Sequence, residues 1–345
     1  MKHVFCINSP INYLSMRSVI DYKNINLKDV IVLIKRNHKF DWEQVKSFPL
    51  PTIPELFKTS NLSQIAKIKY TVLFLVKFLF WIIKIKKITG FLRFELYIPT
   101  SHPIDWNLLS GRFFSKCFSY IDEGVLYYRK DIDHNIQQKV PLKLKIVYFG
   151  LLKIQRTWFT KEAKNSYVFS NEVINFLPNP IILNFNKTIS HFKLNSTKEI
   201  IIAIDGCSTY NDPYGCTLQH HKTIINEVAI HIKQKYGEDV NISFKLHPKQ
   251  YNSELEFKTF RELLKHHFPQ INELSKETVL ETYLNNENKI IFTGISSLSF
   301  YAYILNSPVY SFLFKFSNVC QNFSINNLLK MYPNGYIEFL KRNQI

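Results

Sequence analysis

Three short clusters, each following an apolar run, hold side chains able to take a proton or bind an anion. Ile121-Asp122-Glu123-Gly124 sets two adjacent carboxylates at the end of a strand, with a glycine to turn the chain. A positioned Asp or Glu can take a proton from an attacking hydroxyl; a solvated acidic turn is the plainer reading. Phe244-Lys245-Leu246-His247-Pro248-Lys249 places a histidine between two lysines after a buried strand, with Pro248 fixing the backbone beyond it. A cationic or proton-donating histidine there suits a phosphate leaving group. A structural turn competes with that reading, and a second His-Pro, His102-Pro103, shows how little the dipeptide says alone. Thr293-Gly294-Ile295-Ser296-Ser297 brings Gly294 and two hydroxyls to the start of a helix. Hydroxyls and free N–H groups at such a start make an anion site, or only an ordinary N-cap.

Metal chemistry finds less support. Asp131-Ile132-Asp133 matches the D-x-D pattern that holds a divalent ion against a nucleotide diphosphate, but it follows Arg129-Lys130 in a polar stretch and reads as a solvated loop. The cysteines, Cys6, Cys117, Cys207, Cys216 and Cys320, are odd in number and scattered. That argues against a disulfide framework and for a reducing compartment. Cys207, Cys216, His220 and His221 have zinc-ligand chemistry but no C-x-x-C pair, so no metal is expected. His220-His221 and His266-His267 read as surface pairs in polar helices.

The elements that must position these groups follow from the apolar runs. A chain of 345 residues fits two domains of about 150 each. Hydrophobic residues make up 46%, enough for real cores, which excludes disorder. Strands are expected at His3–Ile7, 29–34, 93–98 and 118–121, with helices at 11–22 and 65–87 between them. A second series opens after an Asn-rich stretch at 184–198: strands at Glu199–Ile204, 241–246, 289–292 and 309–312, and helices at 221–236, 255–267, 277–284, 296–305 and 326–341. Strands alternating with helices indicate α/β domains with parallel sheets. The expected organisation is two doubly wound, Rossmann-like domains facing a cleft: 1–190, 191–325, and a C-terminal helix at 326–345 packing back on the first. In such folds ligands sit outside the carboxyl ends of the strands, where the three clusters fall.

Lys and Arg exceed Asp and Glu by 17, which favours anionic partners. Neither G-x-G-x-x-G nor a P-loop is present, against a dinucleotide fingerprint or Walker-type NTPase. The opening residues read as a buried strand, not a leader. The run Tyr70 to Ile88 is split by Lys77 and closed by Lys84, Lys86 and Lys87, too broken to span a bilayer. It reads as a buried helix, as a basic aromatic helix lying on an anionic leaflet, or as both along one helix.

Taken in order, acidic-acidic-Gly, then His-Pro, then Ser-Ser, with Phe5-Cys6-Ile7-Asn8-Ser9-Pro10 at the first strand, the chain resembles the bacterial lipooligosaccharide sialyltransferases (glycosyltransferase family fifty-two) and the related capsule polysialyltransferases. The resemblance spans most of the chain in order and spacing. It implies a GT-B type fold and inverting transfer from CMP-sialic acid to a sugar hydroxyl, galactose by expectation, on a lipooligosaccharide or capsule glycan. By motif, Asp122 is implied as general base, with Glu123 as alternative; His247 serves the departing phosphate, with Pro248 and Gly294 shaping the donor site; and Ser296 and Ser297 bind that phosphate. A glutamate between the last two motifs is implied for the cytidine, and Glu277 is the choice over Glu273 and Glu281. No metal is required, because the donor already carries a good leaving group. Closure of the two domains is expected to expel water. Nothing matches an acceptor signature; the basic surface suits an acceptor on a phosphorylated lipid at the inner face of the bacterial inner membrane, and hence a peripheral cytoplasmic enzyme. The rivals are a glycosyltransferase using another nucleotide sugar, such as a glucosyl or Kdo donor, and a basic protein that binds nucleic acid or membrane. No nucleic-acid-binding signature is found, and nucleic acid is not an expected partner.

Overall fold

The computed structural model describes residues 1–35, 42, 44–54, 64–130, 138–139, 155–156, 158–172, 177–192, 197–204, 216–237, 239–247, 250–321 and 323–345. The chain divides into two compact units: Met1–Glu123 with Asp133–Asn184, and Gly124–Ile132 with Phe185–Ile345.

The first unit holds β1 (His3–Ile7), α1 (Pro10–Lys23), β2 (Val30–Ile34), β3 (Lys46–Pro49), α2 (Gln64–Thr89), β4 (Phe94–Ile98), α3 (Ile104–Leu109) and β5 (Ser115–Ile121). A short antiparallel pair, β6 (Gln138–Lys139) and β7 (Gln155–Arg156), precedes β8 (Ser166–Val168) and β9 (Pro180–Ile182). Its seven-stranded sheet runs β3-β2-β1-β4-β5-β8-β9, with every neighbouring pair parallel. The second unit holds α4 (Phe185–Ile189), β10 (Glu199–Ile204), α5 (Leu218–Tyr236), β11 (Ile242–Leu246), α6 (Glu254–His267), β12 (Asn272–Glu273), β13 (Lys289–Thr293), α7 (Ser297–Leu305), β14 (Tyr310–Ser311), α8 (Phe316–Val319), α9 (Ile325–Met331) and α10 (Asn334–Arg342). Its five-stranded parallel sheet runs β12-β11-β10-β13-β14. Each sheet places its first strand in the interior and reverses direction beside it, at β1/β4 and at β10/β13. That is the Rossmann-like, doubly wound order.

The strands form where parallel sheets need them. Val4 to Ile7, Val30 to Leu33 and Ile200 to Ile204 are buried without alternation, as expected of strands covered on both faces. Helix starts are set by local chemistry. In α1, Ser9 caps Asn12 N–H at 3.3 Å, Pro10 supplies a pre-set φ, and Asn24 ends the helix at φ +51°.

Two sequence expectations change here. The helix expected at 277–284 is a single 3-10 turn, Leu280–Tyr283, flanked by extended backbone at Val279 and Leu284. The helix expected at 326–341 is broken into α9 and α10 at Pro333, which cannot donate to the preceding turn. α10 belongs to the second unit, where its Tyr336 hydroxyl lies 2.6 Å from Ser299 Oγ; Ile345 N–H bonds the Ser311 carbonyl.

Candidate functional site

In the first unit the acidic cluster lies just past the carboxyl end of β5. Asp122 is fully buried. Its Oδ2 accepts from Phe169 N–H at 3.1 Å, and its carbonyl accepts from Asn12 Nδ2 at 2.8 Å and Ser15 Oγ at 3.3 Å. The residue therefore ties the end of β5 to the loop after β8 and to α1. Glu123 is half-buried, and its Oε1 accepts from Asn8 Nδ2 at 3.2 Å, past the end of β1. Asn8 is oriented in turn by Asn12 Oδ1, which accepts its N–H at 3.1 Å. Gly124 turns the chain at φ +88°, where a side chain would be strained. Of the adjacent carboxylates, Glu123 is the less buried, although its Oε2 is itself enclosed. His102 of the other His-Pro stacks on Trp158 at 4.8 Å.

In the second unit His247 follows β11 and is exposed. Its N–H donates to Gln250 Oε1 and its carbonyl accepts from Gln250 N–H, both at 2.9 Å, so a buried glutamine fixes the backbone beneath the ring. Pro248 and Lys249 lie outside the described residues, as do Cys207 and the D-x-D pair Asp131 and Asp133. Lys245, one of the two lysines flanking the histidine in sequence, is buried with its Nζ on the Thr278 carbonyl. Burial lowers its pKa, with Glu281 and Glu277 acting against the shift. Burial likewise raises the pKa of Glu281, which Lys245 opposes. Glu277 sits in a turn: Ser275 Oγ donates to its carboxylate, and Lys276 Nζ is 4.0 Å away. Of the three glutamates weighed, Glu273 faces Arg261 at 3.7 Å and Glu281 is buried, leaving Glu277 part-exposed on the segment that Lys245 anchors.

The Ser-Ser motif falls beside the β10/β13 reversal. Ser296 is the N-cap of α7: its Oγ accepts from Ser299 N–H at 3.3 Å, and its own N–H donates to Ser299 Oγ at 3.0 Å. This reciprocal capping box is supported from α10, where the Tyr336 hydroxyl lies 2.6 Å from Ser299 Oγ. Ser296 is thus engaged structurally, and Ser296→Ala should cost about 1 kcal/mol of stability, read as a lower urea midpoint at unchanged m-value. Ser297 is different. Its half-buried hydroxyl, its N–H and the next N–H, of Leu298, have no hydrogen-bond partner among the described residues. Gly294 and Ile295 are buried beneath them. The arrangement offers one hydroxyl and two amides, at the positive end of a nine-residue helix, to an anion.

Cys216, His220 and Cys320 bring their ligand atoms within 4.8 Å of one another. Thr217 N–H donates to His220 Nδ1 at 3.1 Å, however, which puts the proton of the neutral ring on Nε2. A metal bound through either ring nitrogen would give up that one bond, because ligation at Nε2 moves the proton to Nδ1, while Thr217 Oγ1 would still cap His220 N–H at 3.4 Å. His221, expected on the surface, is buried against Phe316 at 4.9 Å. Two cavities of about 520 and 420 Å³, both lined by Asn285, Asn286 and Glu287, open at the residues leading into β13. They lie at the amino-terminal edge of that sheet, opposite the edge where doubly wound sheets bind ligands. Asn8, Asn12, Gln250 and Tyr336 were not found by motif; Asn8 alone carried a signal, as part of the stretch after the first strand.

No protein-family model matches the chain, and no curated protein matches it. Similar solved structures include the UDP-GlcNAc 2-epimerase from Methanocaldococcus jannaschii, 12% identical over 90% of this chain and 83% of that one, with a TM-score of 0.41. WaaG, a glycosyltransferase involved in lipopolysaccharide biosynthesis, is 8% identical over 99% and 94%, at 0.39. Spinosyn rhamnosyltransferase SpnG, complexed with thymidine diphosphate, is 10% identical over 99% and 95%, at 0.42. At these scores the likeness carries no functional argument, and the fold stands on the strand order of the chain itself.

Proposed function

We propose that the protein is a glycosyltransferase, and specifically an inverting sialyltransferase that uses CMP-sialic acid. The observation that carries this reading is the donor set of the Ser297 hydroxyl and the Ser297 and Leu298 amides at the β10/β13 reversal, on the same sheet edge as the exposed His247. A monophosphate ester suits it: one phosphate group needs a few donors and no metal. The donor takes Ser297 and His247 on its phosphate and Glu277 on its cytidine. The acidic cluster supplies the base. The Asp122 carboxylate is fully buried and takes the Phe169 N–H, so Glu123, the less buried of the pair, takes the proton. In the transfer, the acceptor hydroxyl oxygen bonds the anomeric carbon from the face opposite the phosphate. The anomeric carbon–oxygen bond to CMP breaks, its electron pair leaves on the phosphate, and the hydroxyl proton passes to Glu123.

The test is release of CMP from CMP-sialic acid in EDTA, with and without a galactose-terminated acceptor. Release that rises with acceptor is expected. Absence of both release and CMP binding would sink the reading, and turnover of a glucosyl or Kdo nucleotide instead would reassign the donor on the same scaffold.

A further inference from the structure

Helix α2 buries one face and leaves another, equally apolar, in water. Phe74, Phe78, Trp81 and Ile85 are buried in the first unit; Trp81 Nε1 donates to the Pro51 carbonyl at 2.9 Å, and its ring meets Phe114 edge-on at 5.7 Å. On the other side Val72, Val76, Leu79, Phe80 and Ile83 are exposed, Phe80 to 66%. Their spacing at three and four residues makes them one stripe. The stripe continues past the helix. Buried Lys86 donates to the carbonyls of Phe113 at 3.1 Å and Phe91 at 3.4 Å, gathering two separate loops at the end of α2. The tip so formed leaves Phe91 81%, Leu92 85% and Phe113 47% exposed. A patch this continuous on a surface marks a binding face.

Charge selects what it binds. Lys69, Lys77, Lys84, Lys87, Arg93 and Arg112 are exposed around the stripe and tip, and residues 64–93 contain no Asp or Glu. A second copy of the chain would set this cationic rim against itself. An anionic lipid surface offers phosphates to the rim and hydrocarbon to the stripe. No helix among the described residues is long and apolar enough to cross a membrane. We propose that α2 and the Phe91-Leu92/Phe113 tip form a docking face for an anionic phospholipid bilayer, with the stripe at the acyl-chain boundary and the lysines on the headgroups. The inference goes beyond sialyl transfer and does not depend on it.

The test is flotation of the full chain with phosphatidylglycerol-rich or pure phosphatidylcholine vesicles, at low and high salt. Binding to the anionic vesicles, weakened by salt, is expected. The triple variants Leu79→Ser/Phe80→Ser/Ile83→Ser and Lys77→Gln/Lys84→Gln/Lys87→Gln should each lower partitioning about tenfold or more, with unchanged circular dichroism. In the otherwise intact chain, Phe80→Trp should show a blue-shifted emission that brominated lipid quenches. The proposal is overturned by no binding to anionic vesicles, by binding that neither triple variant alters, or by a wild-type dimer that the apolar triple makes monomeric without vesicle binding. Vesicle binding is read without any donor, so its failure is separate from failure of the transfer assay.

Discussion

Glu123→Gln should release CMP from CMP-sialic acid about 10²–10⁴-fold more slowly in the presence of acceptor, with CMP binding unchanged. The amide keeps the shape and the contact with Asn8 but cannot take the proton. Asp122→Asn is the informative partner. Asn can still accept from Phe169 N–H, and the backbone bonds to Asn12 and Ser15 do not involve the side chain. Its effect should therefore be much smaller than that of Glu123→Gln. Stopped-assay rates for the two variants, with titration of CMP by calorimetry, decide the matter. If Asp122→Asn is dead and Glu123→Gln active, the base is Asp122, and the buried carboxylate must become accessible during turnover. Full activity in both would remove the acidic cluster from the mechanism.

His247→Ala should lower kcat/KM by about 10²–10³-fold, the usual cost of removing one donor aimed at developing charge. The ring is exposed and its backbone is held by Gln250, so the change should leave the fold intact. Exposure also makes the loss repairable: added imidazole should restore part of the rate, which it would not do if the histidine only shaped the turn. A variant with wild-type kcat/KM would sink the assignment. A loss that imidazole cannot repair, together with a lowered melting temperature, would make His247 structural.

The sequence by itself determined the interior strands and the order of the motifs, but not the short strands Lys46–Pro49, Ser166–Val168, Pro180–Ile182 and Asn272–Glu273. His3–Ile7 and Glu199–Ile204 are found where their apolar runs place them, because a parallel strand buried on both faces carries its burial in its composition. The Ser-Ser helix start was legible for the same local reason: an N-cap needs only residues three apart. The tertiary structure decided what each motif can reach. The Asp122 carboxylate is engaged by the Phe169 N–H, 47 positions away, and its carbonyl by Asn12, 110 away, while Glu123 meets Asn8 across 115; no local pattern could say which of two neighbouring carboxylates is the less buried. Lys245 turns inward because the Thr278 carbonyl, 33 residues on, receives it. The turn at Leu280–Tyr283 is short because the chain is extended on both sides of it, at Val279 and Leu284. On α2, residues that are apolar all round give periodicity no purchase, and only packing of Trp81 against Pro51 and Phe114 decides which face is core and which is left to water.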